Sequence, residues 1–262
     1  MTQQSTVTVR HDRAAAVVTI DGPAVRNALS GPTLSLLCQR LREAEHDPAV
    51  RVVVLTGAGE QAFSAGGDIR ELPSRDMYTE LGERARFMRD ACTLLETMPK
   101  PTIAAINGVA AGGGCELALS CDIRVAAASA RIGLPEVNLG LFPGGGGTQR
   151  LLRLCGRGVA AELMMTGRLI DADEAHRVGL VNHVRPLAEL MPFVFDLAVT
   201  LAAKAPLALA AIKDALRAGV NVGQAEGILY ENKLFALCME TADRREGVAA
   251  FLEKRAPAFR GR

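Results

Sequence analysis

Residues 102–119 read Thr102-Ile103-Ala104-Ala105-Ile106-Asn107-Gly108-Val109-Ala110-Ala111-Gly112-Gly113-Gly114-Cys115-Glu116-Leu117-Ala118-Leu119. Thr102–Ile106 is an apolar run of strand length with no polar alternation, as expected of a strand buried on both faces. Asn107-Gly108 is a turn signal. Three glycines then run into an apolar stretch, which predicts a helix over Gly112–Leu119. The first amides of such a helix have no intrahelical acceptor and form an anion site, reinforced by the helix dipole. A close helix–strand crossing also requires small residues here, and both readings stand. Strand, tight turn and helix in this order indicate an α/β fold.

Working outward, Ser5–Arg10 and Ala14–Ile20 are β-rich and Asp21-Gly22-Pro23 is a turn. Ser30 caps a helix running from about Pro32 to His46, where Asp47-Pro48 stops it. Arg51–Thr56 is a second strand buried on both faces, Gly57–Gly67 a Gly- and Ala-rich loop, and a short helix starts near Asp68. From Met77 to Met98 the residues Met77, Leu81, Met88, Cys92 and Leu95 recur at helical spacing, with Glu80/Arg84 and Arg86/Asp90 four apart on other faces. Asp122–Ala126 and Ala130–Gly133 are short strands. Beyond Gly147, helices are expected at Thr148–Leu154, Val159–Met165, Asp173–Val178, Leu187–Lys204, Leu207–Ala218 and Gln224–Glu253, with one strand at Leu180–Val184. The chain reads as one globular unit, α/β in its first two-thirds and helical after that.

Composition narrows the function. With 30 basic and 29 acidic residues the net charge is +1, so there is no general attraction to nucleic acid or an anionic membrane. The hydrophobic fraction of 49% with only 4% aromatic residues describes an aliphatic core. Six scattered cysteines without a C-x-x-C pair argue for free thiols in a reducing compartment. The four histidines show no metal-binding spacing. No signal peptide and no apolar run of membrane-spanning length is recognisable. The expectation is a soluble, cytoplasmic protein without a metal.

Three segments are richer in glycine than packing requires: Ala62–Ile69, Asn107–Leu117 and Pro143–Arg150. Small residues let backbone N–H groups approach a ligand closely. The third segment lacks the Gly-Lys-Ser/Thr ending of a phosphate loop and the context of a dinucleotide fingerprint, so neither ATP nor NAD is expected. Glu116 and Glu136 (the latter in Leu134-Pro135-Glu136-Val137) sit in apolar surroundings where a carboxylate is costly without a task. Facing one cavity, they would titrate as a coupled pair. The helix start favours the charged form at Glu116, which suits a base there and an acid at Glu136.

Taken together, Asn27-Ala28-Leu29, Val53–Gly57, Phe63–Ile69, Ile106-Asn107-Gly108, Gly112–Leu119, Cys121–Ala126, Pro135–Gly140, Pro143–Leu151 and Ala249–Arg255 resemble, in order, the enoyl-CoA hydratase/isomerase (crotonase) superfamily. The likeness spans nearly the whole chain. It implies a crotonase-like spiral of ββα turns, with a core domain over 1–200 and a helical C-terminal extension over 201–262. That extension packs on the core or on a neighbouring subunit in a homotrimer or hexamer. It further implies that the N–H groups of Gly67 and Gly113 form an oxyanion hole for a thioester carbonyl, with Glu116 and Glu136 catalytic. Coenzyme A would lie along Arg26, Ala28, Ala65, Gly67, Asp68, Ile69, Arg70 and Gly113. Phe251, Lys254 and Phe259 would cover its nucleotide, in the same chain or on a neighbouring subunit. No cofactor is implied, because coenzyme A is part of the substrate.

Hydratases of the family carry both glutamates and isomerases often keep only the second, so the resemblance implies syn addition of water to a trans-2-enoyl-CoA thioester. An isomerase, or a hydratase of a branched, cyclic or aromatic acyl group, is the alternative among enzymes. A non-catalytic acyl-CoA or RNA-binding relative is the alternative of another class. Ala24 and Asp21-Gly22 depart from the family pattern around the first turn, where a basic residue and Asn-Arg are common. The acyl pocket is expected between the Met77–Met98 helix and Leu139–Phe142.

Overall fold

A computed structural model describes residues 4–78 and 83–262, with side chains 83–85 also excluded. Leu81 and Glu80, used above to predict a helix, lie outside the described residues. The central sheet has six strands in the order β1 (Thr6–Asp12), β2 (Ala15–Asp21), β3 (Val52–Gly57), β5 (Thr102–Ile106), β7 (Ile123–Ala127) and β10 (His183–Arg185). Only β1 and β2 pair antiparallel; every later neighbour is parallel. Parallel neighbours need crossovers, and these carry the helices that bury both faces. Within β3, Val53 and Leu55 therefore join one core while Val52 and Val54 join the other. The second core is closed by Leu190, Val194 and Ala198 of the helix Leu187–Ala202.

A smaller sheet stands at the edge of the first core: β4 (Ala62–Ser64), β6 (Val109–Ala111), β8 (Arg131–Gly133) and β9 (Ile170–Asp171). Each of the first two follows a central strand after a few residues, so the chain turns ββα repeatedly as it spirals. The sequence reading takes Gly57–Gly67 as loop and leaves Val109–Ala111 unassigned; both contain strands. These strands are two or three residues long and give no periodicity to read. β9 is missed for the same reason, and the last strand lies at His183–Arg185, not Leu180–Val184.

The helices Gly31–His46, Glu83–Thr97 and Gly113–Ser120 match expectation, and Ser30 caps the first by accepting from the Thr33 N–H. Thr148–Leu154 and Val159–Met165 join in one segment, Gly147–Thr166, broken at Gly156, whose φ is 77°. The single helix expected over Gln224–Glu253 is two, Gln224–Met239 and Ala242–Leu252. Thr241 ends the first and caps the second by accepting from the Arg244 N–H. Its β-branched hydroxyl side chain is the break signal that apolar periodicity conceals.

Candidate functional site

Two chain segments lie side by side through backbone hydrogen bonds. The Ala65 N–H donates to Arg26 O (2.9 Å), Leu29 N–H to Gly66 O (2.8 Å) and Asp68 N–H to Leu29 O (3.1 Å). This seam makes Arg26, Ala28, Ala65, Gly67 and Asp68 neighbours, although about forty residues separate the two halves. Buried Asn27 holds it from beneath: its Oδ1 accepts from Gly22 N–H and its amide donates to Ala58 O and Ala62 O. Arg26 lines a surface cleft of about 620 Å³ with Pro23, Ala24, Gly59 and Glu60. Ile69 is exposed, and Arg70 turns back to make a two-pronged contact with the Asp68 carboxylate, 2.8 and 2.7 Å.

Gly66 takes φ +91° and packs so close to Ala111 that a Cβ there would lie 2.6 Å from its carbonyl oxygen. This contact brings Gly67 against Gly113: a Cβ on Gly113 would lie 3.6 Å from the Gly67 nitrogen. Among the described hydrogen bonds neither amide appears as a donor, and Gly113 is the first residue of its helix, where N–H groups lack internal acceptors. Nothing stands within 4 Å of the Gly67 Cβ position. Two amides thus border one open space. Gly114, one residue further, crosses β4 so tightly that a Cβ would collide with Ser64 O. The close-crossing reading of the triglycine therefore holds at Gly114.

Glu116 is 3% exposed in the first turn of that helix. The charge-stabilising contacts come from elsewhere: Gly145 N–H and Gly147 N–H both donate to its Oε1, at 2.7 and 2.9 Å. This is the part that sequence reasoning missed. The tetraglycine run was legible only as a segment richer in glycine than packing requires; that its amides hold a carboxylate of the same protein was not. Burial raises the Glu116 carboxyl above its ordinary range, opposed by the amides of Gly147 and Gly145 and by the Arg150 guanidinium.

Glu136 opens a short 3-10 turn, Glu136–Leu139, beside the same helix start, where a Cβ on Gly112 would lie 3.2 Å from its Oε1. Its Oε2 is buried without a hydrogen-bond partner. Burial pushes this carboxyl up to about 7; its own backbone N–H pulls the other way and the neighbouring Glu116 adds to the rise. One carboxylate is therefore prepared for charge and the other is left short of partners, which favours a proton on Glu136. Met88 reaches from beside Gly145 to beside Gly113, and Leu139, Leu141 and Phe142, a few residues beyond Glu136, are exposed.

The distant C-terminal residues are not gathered in. Phe251 is 83% exposed, Phe259 packs near Gly247, and Arg260 and Gly261 donate their N–H groups to Asp243. Among the described residues no group of three His, Cys, Asp or Glu could hold a metal, and no single helix is long and apolar enough to cross a membrane.

A family model described as enoyl-CoA hydratase/isomerase matches residues 10–262. The chain is 44% identical to a short-chain-enoyl-CoA hydratase of Clostridium acetobutylicum over 241 residues, 92% of each chain. It is 41% identical to a 2,3-dehydroadipyl-CoA hydratase of Escherichia coli over 258 residues, 98% of this chain and 100% of the other. The crystal structure of an enoyl-CoA hydratase from Bacillus anthracis superposes with a TM-score of 0.94 at 39% identity, covering 98% of this chain and 100% of that one.

Proposed function

Because the chain belongs to the enoyl-CoA hydratase/isomerase family, we propose that it is an enoyl-CoA hydratase, adding water syn across the C2=C3 bond of a trans-2-enoyl-CoA thioester. The observation that carries this reading is the unequal pair: Glu116 held by two amides, and Glu136 with a buried oxygen that has no hydrogen-bond partner among the described residues, beside Gly112 at the helix start.

In this reading the thioester oxygen accepts from the Gly67 and Gly113 N–H groups. These stabilise the negative charge that reaches it when C3 is attacked; one such donor is typically worth about 3 kcal/mol. Glu116, ionised, orients a water and takes its proton as the oxygen bonds to C3. Glu136, protonated, delivers its proton to C2 as the enolate collapses. Passing the proton from Glu116 to Glu136 restores both groups. Delivery from two carboxylates on one face gives syn addition. Coenzyme A lies along the Arg26–Leu29 and Ala65–Arg70 seam, and Met88 with Leu139–Phe142 receives the acyl chain.

Helices Pro206–Gly219, Gln224–Met239 and Ala242–Leu252 expose the large apolar side chains Ile212, Leu216, Leu229, Phe235 and Phe251. This supports a helical extension that packs against further copies in a homotrimer or hexamer, where Phe251, Lys254 and Phe259 could serve a neighbour's nucleotide site. Sedimentation would read the assembly. The absence of a charge excess supports a small-molecule substrate over nucleic acid or membrane, in keeping with cytoplasmic work.

The test follows the loss of ultraviolet absorbance of conjugated trans-2-enoyl-CoA thioesters of several chain lengths. Rapid loss with the wild type and collapse with Glu116→Gln and with Glu136→Gln support hydration and rank the substrates. Undiminished loss with Glu116→Gln sinks the two-carboxylate mechanism. Double-bond migration in place of hydration makes the protein an isomerase.

A further inference from the structure

Behind Glu116 lies a cation that the steps above do not use. Arg150, in the first turn of the helix Gly147–Thr166, folds back over its own N-terminus. Its Nη1 donates to Gly145 O (2.9 Å) and its Nη2 to Glu96 Oε2 (2.7 Å) on the helix Glu83–Thr97. The side chain is 17% exposed, a poor place for a guanidinium that serves only as surface charge. Gly145 is also a residue whose N–H holds Glu116. One guanidinium thus ties the loop that holds the Glu116 carboxylate to the helix Glu83–Thr97.

The glycines show how closely this is built. A Cβ on Gly145 or Gly147 would press on the Glu116 carboxylate, and one on Gly146 would collide with Arg150 Nη1. Successive residues thus make room for the anion, the cation and the anion again. A run of four glycines has more backbone freedom than any other sequence, so two converging amides need an outside restraint to stay converged.

We propose that Arg150, held by Glu96, is the positioning residue for Glu116: it fixes the Gly145–Gly147 amides on the carboxylate and sets a positive charge behind it. This rests on Glu116 being the base of the hydration reading. The groups facing Glu116 are Arg150 from its helix, Glu136 from the 3-10 turn, Cys92 with Glu96 beyond it from the Glu83–Thr97 helix, and Cys115 on its own helix. Burial raises both thiols, Cys92 to about 12, so they stay neutral. Among the described residues Arg150 is the cation acting on Glu116.

The experiment compares wild type, Arg150→Met, Arg150→Lys and Glu96→Gln by two readouts: the pH profile of turnover, and the ionisation of Glu116 by infrared difference against Glu116→Gln. Arg150→Met is expected to lose turnover by roughly 10- to 100-fold, the scale of a misplaced catalytic group, and to move the Glu116 midpoint to higher pH. Arg150→Lys keeps the charge but cannot bridge both partners, so turnover falls while the midpoint stays where it is in the wild type. Glu96→Gln loses turnover without raising the midpoint. A folded Arg150→Met protein with wild-type turnover and an unmoved midpoint overturns the proposal. If that variant does not fold, wild-type turnover in both Arg150→Lys and Glu96→Gln overturns it. Absence of hydration by the wild type defeats the hydratase reading instead, and the infrared midpoint still reports on the Arg150 charge.

Discussion

Gly145 and Glu116 meet with no room for a side chain between them: the Gly145 N–H donates to Oε1 at 2.7 Å, and a Cβ on Gly145 would lie 2.5 Å from Oε2. Gly145→Ala must therefore push the carboxylate or the loop aside. We expect turnover to fall by about 10- to 100-fold. Gly144→Ala, one residue earlier and with nothing within 4 Å of its Cβ position, is expected to stay within about twofold, well under the effect of a misplaced group. Steady-state kinetics on the two proteins checks this, and equal losses would refute it.

The pH dependence follows from Glu136. Burial holds its carboxyl up to about 7, so the acid form required for proton delivery is depleted as pH rises through that value. The alkaline limb of kcat/KM is expected near about 7. Stability moves with it. A carboxyl raised in the folded protein binds its proton more tightly there than in the unfolded chain, so stability declines as pH rises from the ordinary 4.5 toward about 7. Glu136→Gln removes this dependence: it should melt higher than wild type above pH 7, with the difference lost below pH 4.5. A constant difference across that range would show that Glu136 does not titrate there.

How far the sequence carries this picture depends on chemistry rather than on position in the chain. The central strands were legible because β3 and β5, buried on both faces, are unbroken apolar runs. Ser30 announced its cap, and Asp68 marked the start of a short helical turn, where its carboxylate accepts from the Arg70 N–H. The strands Ala62–Ser64 and Val109–Ala111 were not legible, since so few residues carry no period and owe their form to each other. In the site, Glu116, Glu136 and the paired glycine loops stood out as costly or permissive residues in apolar settings. The bond from Gly145 and Gly147 to Glu116 joins residues about thirty apart, and only the tertiary fold sets that contact.

Two buried asparagines illustrate the same long-range dependence. Asn107 donates to Gly57 O, Gly59 O and Ala62 O and accepts from the Gly57 N–H, while Asn27 also donates to Ala62 O. Both pin the segment before Ala65–Asp68. Asn107→Leu keeps the shape and strands these backbone groups, which should cost about 1–3 kcal/mol in denaturant unfolding. Since Asn27 and Asn107 share an acceptor, Asn27→Ala with Asn107→Leu should depart from additivity by about 0.5 kcal/mol or more. Additive losses would mean that the two act on separate parts of the loop.

The contact between Gly66 and Ala111 sets how closely the two amides of the proposed oxyanion hole stand. Gly66 occupies a left-handed backbone region that disfavours side chains, and a Cβ there would stand 2.6 Å from Ala111 O and 3.1 Å from the Gly113 nitrogen. Both obstacles are backbone, which cannot rotate away as a flexible side chain does. Gly66→Ala must part the Ala65–Asp68 segment from the start of the Gly113–Ser120 helix, separating Gly67 N–H from Gly113 N–H. Losing a single donor typically costs about 100- to 1000-fold in kcat. We expect a loss on that scale, expressed in kcat more than in KM, because the amides contribute most when charge reaches the thioester oxygen. Gly158→Ala, on the exposed part of the Gly147–Thr166 helix with nothing near its Cβ position, should leave turnover unchanged and raise stability by up to about 1 kcal/mol. A Gly66→Ala enzyme that keeps its kcat and weakens only substrate binding would show that the loop contact positions coenzyme A and not the reacting carbonyl.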